Sequence, residues 1–298
     1  MVTANKFLRR LRRIKPFDVI NVILLFLLSV IMLYPFVYIF AIAFNTSADT
    51  LRGVIWLYPR EFTFENIAVA FQDTRIYMSL LVSLARVVVT TVLAVLLTVM
   101  LAFGILDKNL IGRKFFIKYI FFSTLFTGGI IPFFLLMRDL HLANTFWIYV
   151  MPALYSFYNT IIVRVAFEAV PASLAESARL DGAGEFRILF RIYFPLSMPA
   201  IATIALFSIV FHWNDWFAGA FYVSDERLKP AATLLQEIIS AASSDPTGPG
   251  GPGTGSSDIM SQSLQMAFVV ILVTPVIIVY PFLQKYFVKG AVIGSIKE

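Results

Sequence analysis

A chain of 298 residues with 59% hydrophobic content, a mean hydropathy of +0.82 and only 14% charged residues carries more apolar surface than a soluble fold of this size can hide, so lipid is its solvent. The net charge of +6 is clustered by loop rather than along one face, which argues against a nucleic-acid partner and reads as a topology signal. There is no cysteine, and His141 and His212 stand without a partnered carboxylate spacing, so disulfides, thiolate sites and a metal centre are not expected.

The chain starts with a basic arm, 1–18, that holds Lys6, Arg9, Arg10, Arg12, Arg13 and Lys15. The apolar run that follows, 19–44, is far too long for a signal-peptide core and reads as a first membrane span. Further runs at 79–106, 115–137, 145–167, 196–222 and 263–288 are each long enough to cross about 30 Å of hydrocarbon. The expected fold class is therefore an all-α integral membrane protein with six transmembrane helices and both termini on one side. Lys108, Arg113, Lys114 and Lys118, then Arg164, Arg179, Arg187 and Arg191, then Lys285, Lys289 and Lys297 fall on the same face as the arm. The opposite loops carry fewer basic residues, which places both termini and the tail 289–298 in the cytoplasm of a cell membrane protein. Trp56, Trp147 and Trp216 lie near the expected outer boundary, as interfacial anchors do. The outer stretch 243–257 is dominated by Gly, Pro, Ser and Thr and is expected to be flexible. No internal repeat and no second soluble domain is visible.

Arg86, some seven residues into the second span, either snorkels outward along its stem or pairs with a carboxylate in a cavity, and snorkelling is the expectation. Gly128, Gly129 and Pro132 interrupt the third span and place that face against protein or a cavity. The loop 168–195 is long for a mere connection. Ser173 followed by Glu176 has capping-box spacing, which predicts a short helix from near Leu174, ended by Asp181 and Gly182. A second amphipathic stretch runs from Glu185 to Tyr193 before Pro195 stops it, so the loop is expected to form a helix-turn-helix at the cytoplasmic surface.

This loop resembles that of the inner-membrane permeases of ABC importers, which bears Glu-Ala-Ala, three residues, Gly, nine residues, Ile, one residue, Leu-Pro. The chain has Glu176, Ser177 and Ala178, then Gly182, Ile192 and Phe194-Pro195, with Ser for Ala at 177 and Phe for Leu at 194. From about residue 79 onward it is similar to the maltose-type carbohydrate permeases, oligosaccharide branch, in TLFTGGIIPFFLL (124–136), ALFSIVFHWNDWF (205–217) and YPFLQKYFVKGAVIGSIKE (280–298). The resemblance implies a type I ABC importer permease fold in a bacterial inner membrane. It implies that Glu176, Ser177, Ala178, Asp181, Gly182, Ala183 and Pro195 belong to a coupling contact with an ATPase. It also implies that Gly290, Gly294 and Lys297 of the tail reach toward the ATPase pair. Small residues at 177, 178 and 183 would allow close helix approach in that contact. The implied partners are a second permease, expected to be a different chain, two cytosolic ATPase subunits that bind ATP and Mg, and an extracytoplasmic sugar-binding protein. No cofactor and no nucleotide site of its own is expected, since no glycine loop ending in Gly-Lys-Ser or Gly-Lys-Thr is present.

A sugar path needs polar groups and aromatic faces inside the bundle. Tyr155, Tyr158 and Asn159 at i, i+3 and i+4 of the fourth span offer one such face, or else act as glue between helices. Trp213, Asn214, Asp215 and Trp216 toward the outer end of the fifth span either meet substrate or form an aromatic belt. The expected function is a permease subunit of an ATP-driven carbohydrate importer. The alternatives are a permease for another polar solute such as an amino acid or polyamine, a passive channel, or an intramembrane enzyme, for which no nucleophile and base are apparent.

Overall fold

The computed structural model describes residues 16–53, 55–126, 128–243 and 262–295, and among them the regular structure is helical, with one isolated antiparallel bridge between Asn45 and Phe62. The basic arm up to residue 15, the Gly/Pro-rich outer stretch from 244 on, and Lys297 lie outside the described residues. Two compact units divide the chain, 1–72 with 246–271, and 73–245 with 272–298.

The first unit is led by α1, Pro16–Ala43, whose 28 residues reach about 42 Å and are apolar on every face. Positions 16–37 are exposed all along, and burial begins only at Ala41, Ile42 and Ala43, which pack with Ile55, Tyr38 and Met266. The loop beyond it is ordered by α2, Ser47–Thr50, and α3, Glu65–Ala70, around a polar centre. Fully buried Asn45 donates to Asp49 Oδ2 (3.0 Å) and accepts from the Glu61 amide (2.9 Å). Asn66 donates to the carbonyls of Ala43 (3.0 Å) and Asn45 (2.8 Å), which would otherwise be orphaned at the end of α1.

Asp49 is held below the usual carboxylate range by the Asn45 hydrogen bond and then by Arg60, whose Nε donates at 2.9 Å. A depressed folded-state value means that its contribution to stability is present above the unfolded value of about 3.9 and is lost as pH falls through the folded one. Loop 45–66 is therefore expected to hold at pH 5 and to loosen only below about pH 4. Hydrogen exchange at the Thr46 and Thr63 amides, which bond to Glu61 and Phe44, measures this, and Asp49→Asn is expected to flatten the pH dependence.

The second unit is built on α4, Thr74–Gly104, 31 residues and about 46 Å long. Asp73 caps it by accepting from the Arg75 amide at 2.9 Å. The expected third span is two helices, α5, Arg113–Thr124, and α6, Ile130–Asp139, parted at the glycines; Gly129 has φ 87° and ψ −178°. Pro132 does not break α6 but sits in its first turn, where the missing N–H is not needed. The fourth is also bent: α7, Trp147–Ala153, meets α8, Phe157–Glu168, at 50°. After α9, Ala172–Leu180, the helix α10, Glu185–Leu196, meets α11, Met198–Asn214, at 84°.

Pro195 does not stop α10, contrary to expectation. A wide π-turn over Leu189–Tyr193 makes room for the proline ring, and the chain turns at Ser197, between Pro195 and Pro199. The fifth span is likewise shorter than 196–222, since α11 ends at Asn214 and α12, Phe217–Tyr222, starts anew. Helix α13, Ala231–Ser243, precedes α14, Gln262–Ser295, which contains Gly290 and Gly294. Among the described residues, helices α1 and α4 are long and apolar enough to cross a membrane, and there are up to four such spans if each bent pair counts as one.

Candidate functional site

Five elements converge on one core that seats the loop 168–195. Val99 and Ala102 of α4, Val163 and Phe167 of α8, Ala175 of α9, Ile188, Leu189 and Tyr193 of α10, and Ile201 and Ile204 of α11 form a single buried cluster. The Tyr193 ring is edge-on to Phe103 and Phe167, both with centroids at 5.3 Å. Helix α9 is thereby fastened to the bundle by its Ala175 face. Ala178 and Ala183, whose small size was expected to allow close approach to a partner, are partly buried and also pack on this cluster.

The start of α9 differs from the sequence reading. The helix begins at Ala172 with Pro171 at the cap and no side-chain cap bond, so Ser173 is already inside the first turn and no capping box with Glu176 forms. Its end is as expected. Gly182 has φ +80°, its amide donates to Arg179 O (3.0 Å) and the Ala183 amide to Ala178 O (2.9 Å), the double bond of a left-handed helix stop. Across the turn Arg179 forks onto Glu185 at 2.8 and 3.0 Å and holds that carboxyl below its usual range. The face left outward holds Glu176, Ser177, Leu180 and Asp181, with Leu180 at 90% and nearby Phe186 at 66% exposure.

Arg86 does not snorkel. It is 1% exposed, donates Nη1 to Asp215 O at 2.8 Å, pairs through Nη2 with the Asp215 carboxylate, and stacks its guanidinium 4.6 Å from the Tyr149 ring centre. Asp215 sits in the break after α11 and accepts from the Phe217 amide, the first of α12, at 3.0 Å. Its carboxylate is thus engaged within the chain, and Asn214 donates to Val210 O at 2.8 Å. Removing one member of a buried pair of this kind costs about 3–5 kcal/mol, because the other charge is left uncompensated. Trp213 is half-buried and Trp216 is exposed beside this break.

Tyr155 lies in the break between α7 and α8, not on a helical face with Tyr158 and Asn159. Ser156 caps α8, accepting from the Asn159 amide at 3.3 Å. Tyr155 and Tyr158 nevertheless come together, lining an open cavity of about 430 Å³ with Ser123, Thr124, Ser156 and Phe157. Asn159 is not among its walls. Ser123 and Thr124 spend their hydroxyl protons on the carbonyls of Ile120 (2.8 Å) and Phe121 (2.7 Å), leaving oxygen lone pairs toward the cavity. The sequence did not point to Ser83 or Tyr149, which complete the Arg86 region. Ser83 accepts from the Ala231 amide at 2.8 Å and Tyr149 donates to Leu228 O at 2.9 Å, contacts that span 148 and 79 residues and leave no local signature.

Residues 4–292 match the family described as binding-protein-dependent transport system inner membrane component. The chain is 36% identical over 281 residues, 94% of its length and 98% of the relative's, to the polygalacturonan/rhamnogalacturonan transport system permease protein YtcP of Bacillus subtilis (strain 168). It is 35% identical to protein LplC of the same organism, covering 95% of each chain. A chain in the crystal structure of a bacterial ABC transporter involved in the import of the acidic polysaccharide alginate superposes with a TM-score of 0.81 and 31% identity, over 91% of this chain and 96% of that one.

Proposed function

Because the chain belongs to the family of binding-protein-dependent transport system inner membrane components, we propose that it is one permease subunit of an ATP-driven importer of carbohydrate, with oligosaccharides as cargo. The relative named for polygalacturonan and rhamnogalacturonan and the solved importer of alginate support that cargo. In this reading six spans cross the membrane, α1, α4, α5 with α6, α7 with α8, α11, and α14, and both termini are cytoplasmic. The partners are a second, different permease, two cytosolic ATPases holding ATP and Mg, and an extracytoplasmic sugar-binding protein.

The observation that carries the reading is the outward face of α9. Glu176 and Asp181 flank a leucine exposed at 90%, on a short helix whose opposite side is locked into the bundle core. A solvated loop has no reason to combine those features, whereas a helix that receives a push from a partner needs all of them. Glu176, Ser177, Asp181 and Leu180 are then the contact, while Ala178, Gly182, Ala183 and Pro195 shape it from behind. The tail with Gly290, Gly294 and Lys297 is assigned to the same ATPase face. Tyr155 and Tyr158, with the hydroxyls of Ser123, Thr124 and Ser156, are assigned to the sugar path, where rings pack on pyranose faces and oxygens accept from sugar hydroxyls. ATP binding in the partner closes the ATPase pair, and the motion enters this chain at α9.

Uptake of labelled oligosaccharides by cells with and without the chain tests the proposal, with amino acids and polyamines as competitors. Energy-dependent oligosaccharide uptake that only sugars compete is expected; uptake that persists without ATP would indicate a channel. Tyr155→Ala with Tyr158→Ala is expected to lower the uptake rate about tenfold, from two lost ring contacts, while hydrolysis by the partner persists.

A further inference from the structure

Resting on the transporter reading, we infer that α4 is a rigid rod that joins the coupling segment at one end to an outer closure at the other, with Ser83 and Arg86 as the positioning residues of that closure. At its Gly104 end, Val99 and Ala102 share one buried cluster with Ala175, Ile188, Leu189 and Tyr193 of the coupling segment. Nearer its Thr74 end, Ser83 and Arg86 lie about one turn apart and hold the segment after α11 at both ends: Arg86 binds Asp215, and Ser83 binds the Ala231 amide. Tyr149, under the Arg86 guanidinium, adds a third hold at Leu228. Between Arg86 and Val99 the helix has no proline and no glycine, so the two ends move together across about 20 Å.

The clamp is poorly suited to stability alone. Arg86 Nε, Thr90 Oγ1 and His212 Nδ1 are buried with no protein partner, and a partly satisfied ion pair at membrane depth is worse for stability than an apolar contact of the same shape. A pair with spare hydrogen-bonding capacity can be made and unmade. The segment it holds starts at one chain break, Asp215, and the other break, the 84° turn at Ser197, lies beside the coupling segment. A push on α9 therefore reaches two breaks through packed elements, and the outer one is released when Arg86 and Ser83 move with α4.

The test uses the intact importer in proteoliposomes and reads sugar moved per ATP hydrolysed, a ratio that a purely structural role would leave unchanged. Arg86→Met is expected to retain the bound ATPase and most hydrolysis while lowering that ratio about tenfold, and Arg86→Asp with Asp215→Arg is expected to recover part of it. A second measurement does not depend on the variant's stability. The chain has no cysteine, so Ser83→Cys with Ala231→Cys gives one possible disulfide, whose oxidation is expected to stop uptake and whose reduction restores it. Uptake at the unlocked rate with the disulfide closed, or an unchanged ratio in Arg86→Met, overturns the inference. Failure of an ATPase to co-purify with the unsubstituted chain is a different result, and overturns the transporter reading beneath it.

Discussion

Glu176→Lys should leave the chain inserted and folded but weaken its hold on the ATPase by on the order of a hundredfold, with uptake falling in step. Glu176 stands on the outward face of α9, away from the Ala175 contact, so the substitution disturbs no core packing. In the proposed contact it reverses the sign of one charge at the centre of a small interface, where one residue can carry much of the binding. Glu176→Gln, which removes the charge without reversing it, should be milder, and its effect should shrink at high salt. Pull-down of the ATPase with the tagged chain, together with uptake, reads both. Equal recovery with Glu176→Lys would remove this helix from the contact.

Gly219→Ala should be the most destabilising single methyl added at a glycine among the described residues. An added Cβ would lie 2.2 Å from Thr233 Oγ1, 2.9 Å from Pro230 Cδ and 3.0 Å from Thr233 Cβ. Thr233 is fully buried and its hydroxyl donates to Trp216 O at 2.9 Å, so it cannot rotate aside without losing that bond. Overpacking of this kind costs about 1–3 kcal/mol, roughly 2–10 °C in the melting temperature of the detergent-solubilised chain. Gly184→Ala, where nothing lies within 4 Å and φ is −72°, is the matched control and should leave the melt unchanged. A Thr233→Ala background should recover part of the Gly219→Ala loss, because the nearest clashing atom is gone.

Where hydrophobic runs and turn residues decide the outcome, the sequence was a good guide. Helices α1 and α4 follow from uninterrupted apolar length, and the stop of α9 follows from a glycine that takes φ +80° without strain. The interruption of the third span at Gly128 and Gly129 was legible for the same reason. Local rules failed where tertiary packing chose between two permitted outcomes. Ser173 had the spacing of a cap, but burial of Ala175 and the proline at 171 set the helix start two residues too early for it. Pro195 reads as a helix stop, yet a π-turn carried the helix past it.

Arg86 shows the deeper limit of sequence reading. Its partner is 129 residues away, and nothing local distinguishes an arginine that snorkels from one that meets a distant carboxylate at a chain break. Ser83 and Tyr149 were invisible for the same reason, since each acts on a backbone carbonyl or amide far along the chain. The polar centre around Asn45 is likewise a product of contacts between residues distant in the chain rather than of periodicity.

The most direct test of the account places one thiol on the outward face of α9. In this cysteine-free chain Ser177→Cys is exposed, and it should form a crosslink to the ATPase subunit when the membranes are treated with a short bifunctional reagent from the cytoplasmic side. The crosslink should be lost when the ATPase is stripped. Labelling of the same cysteine in intact cells by a membrane-impermeant reagent, or no crosslink in an assembly that transports sugar, would contradict the account.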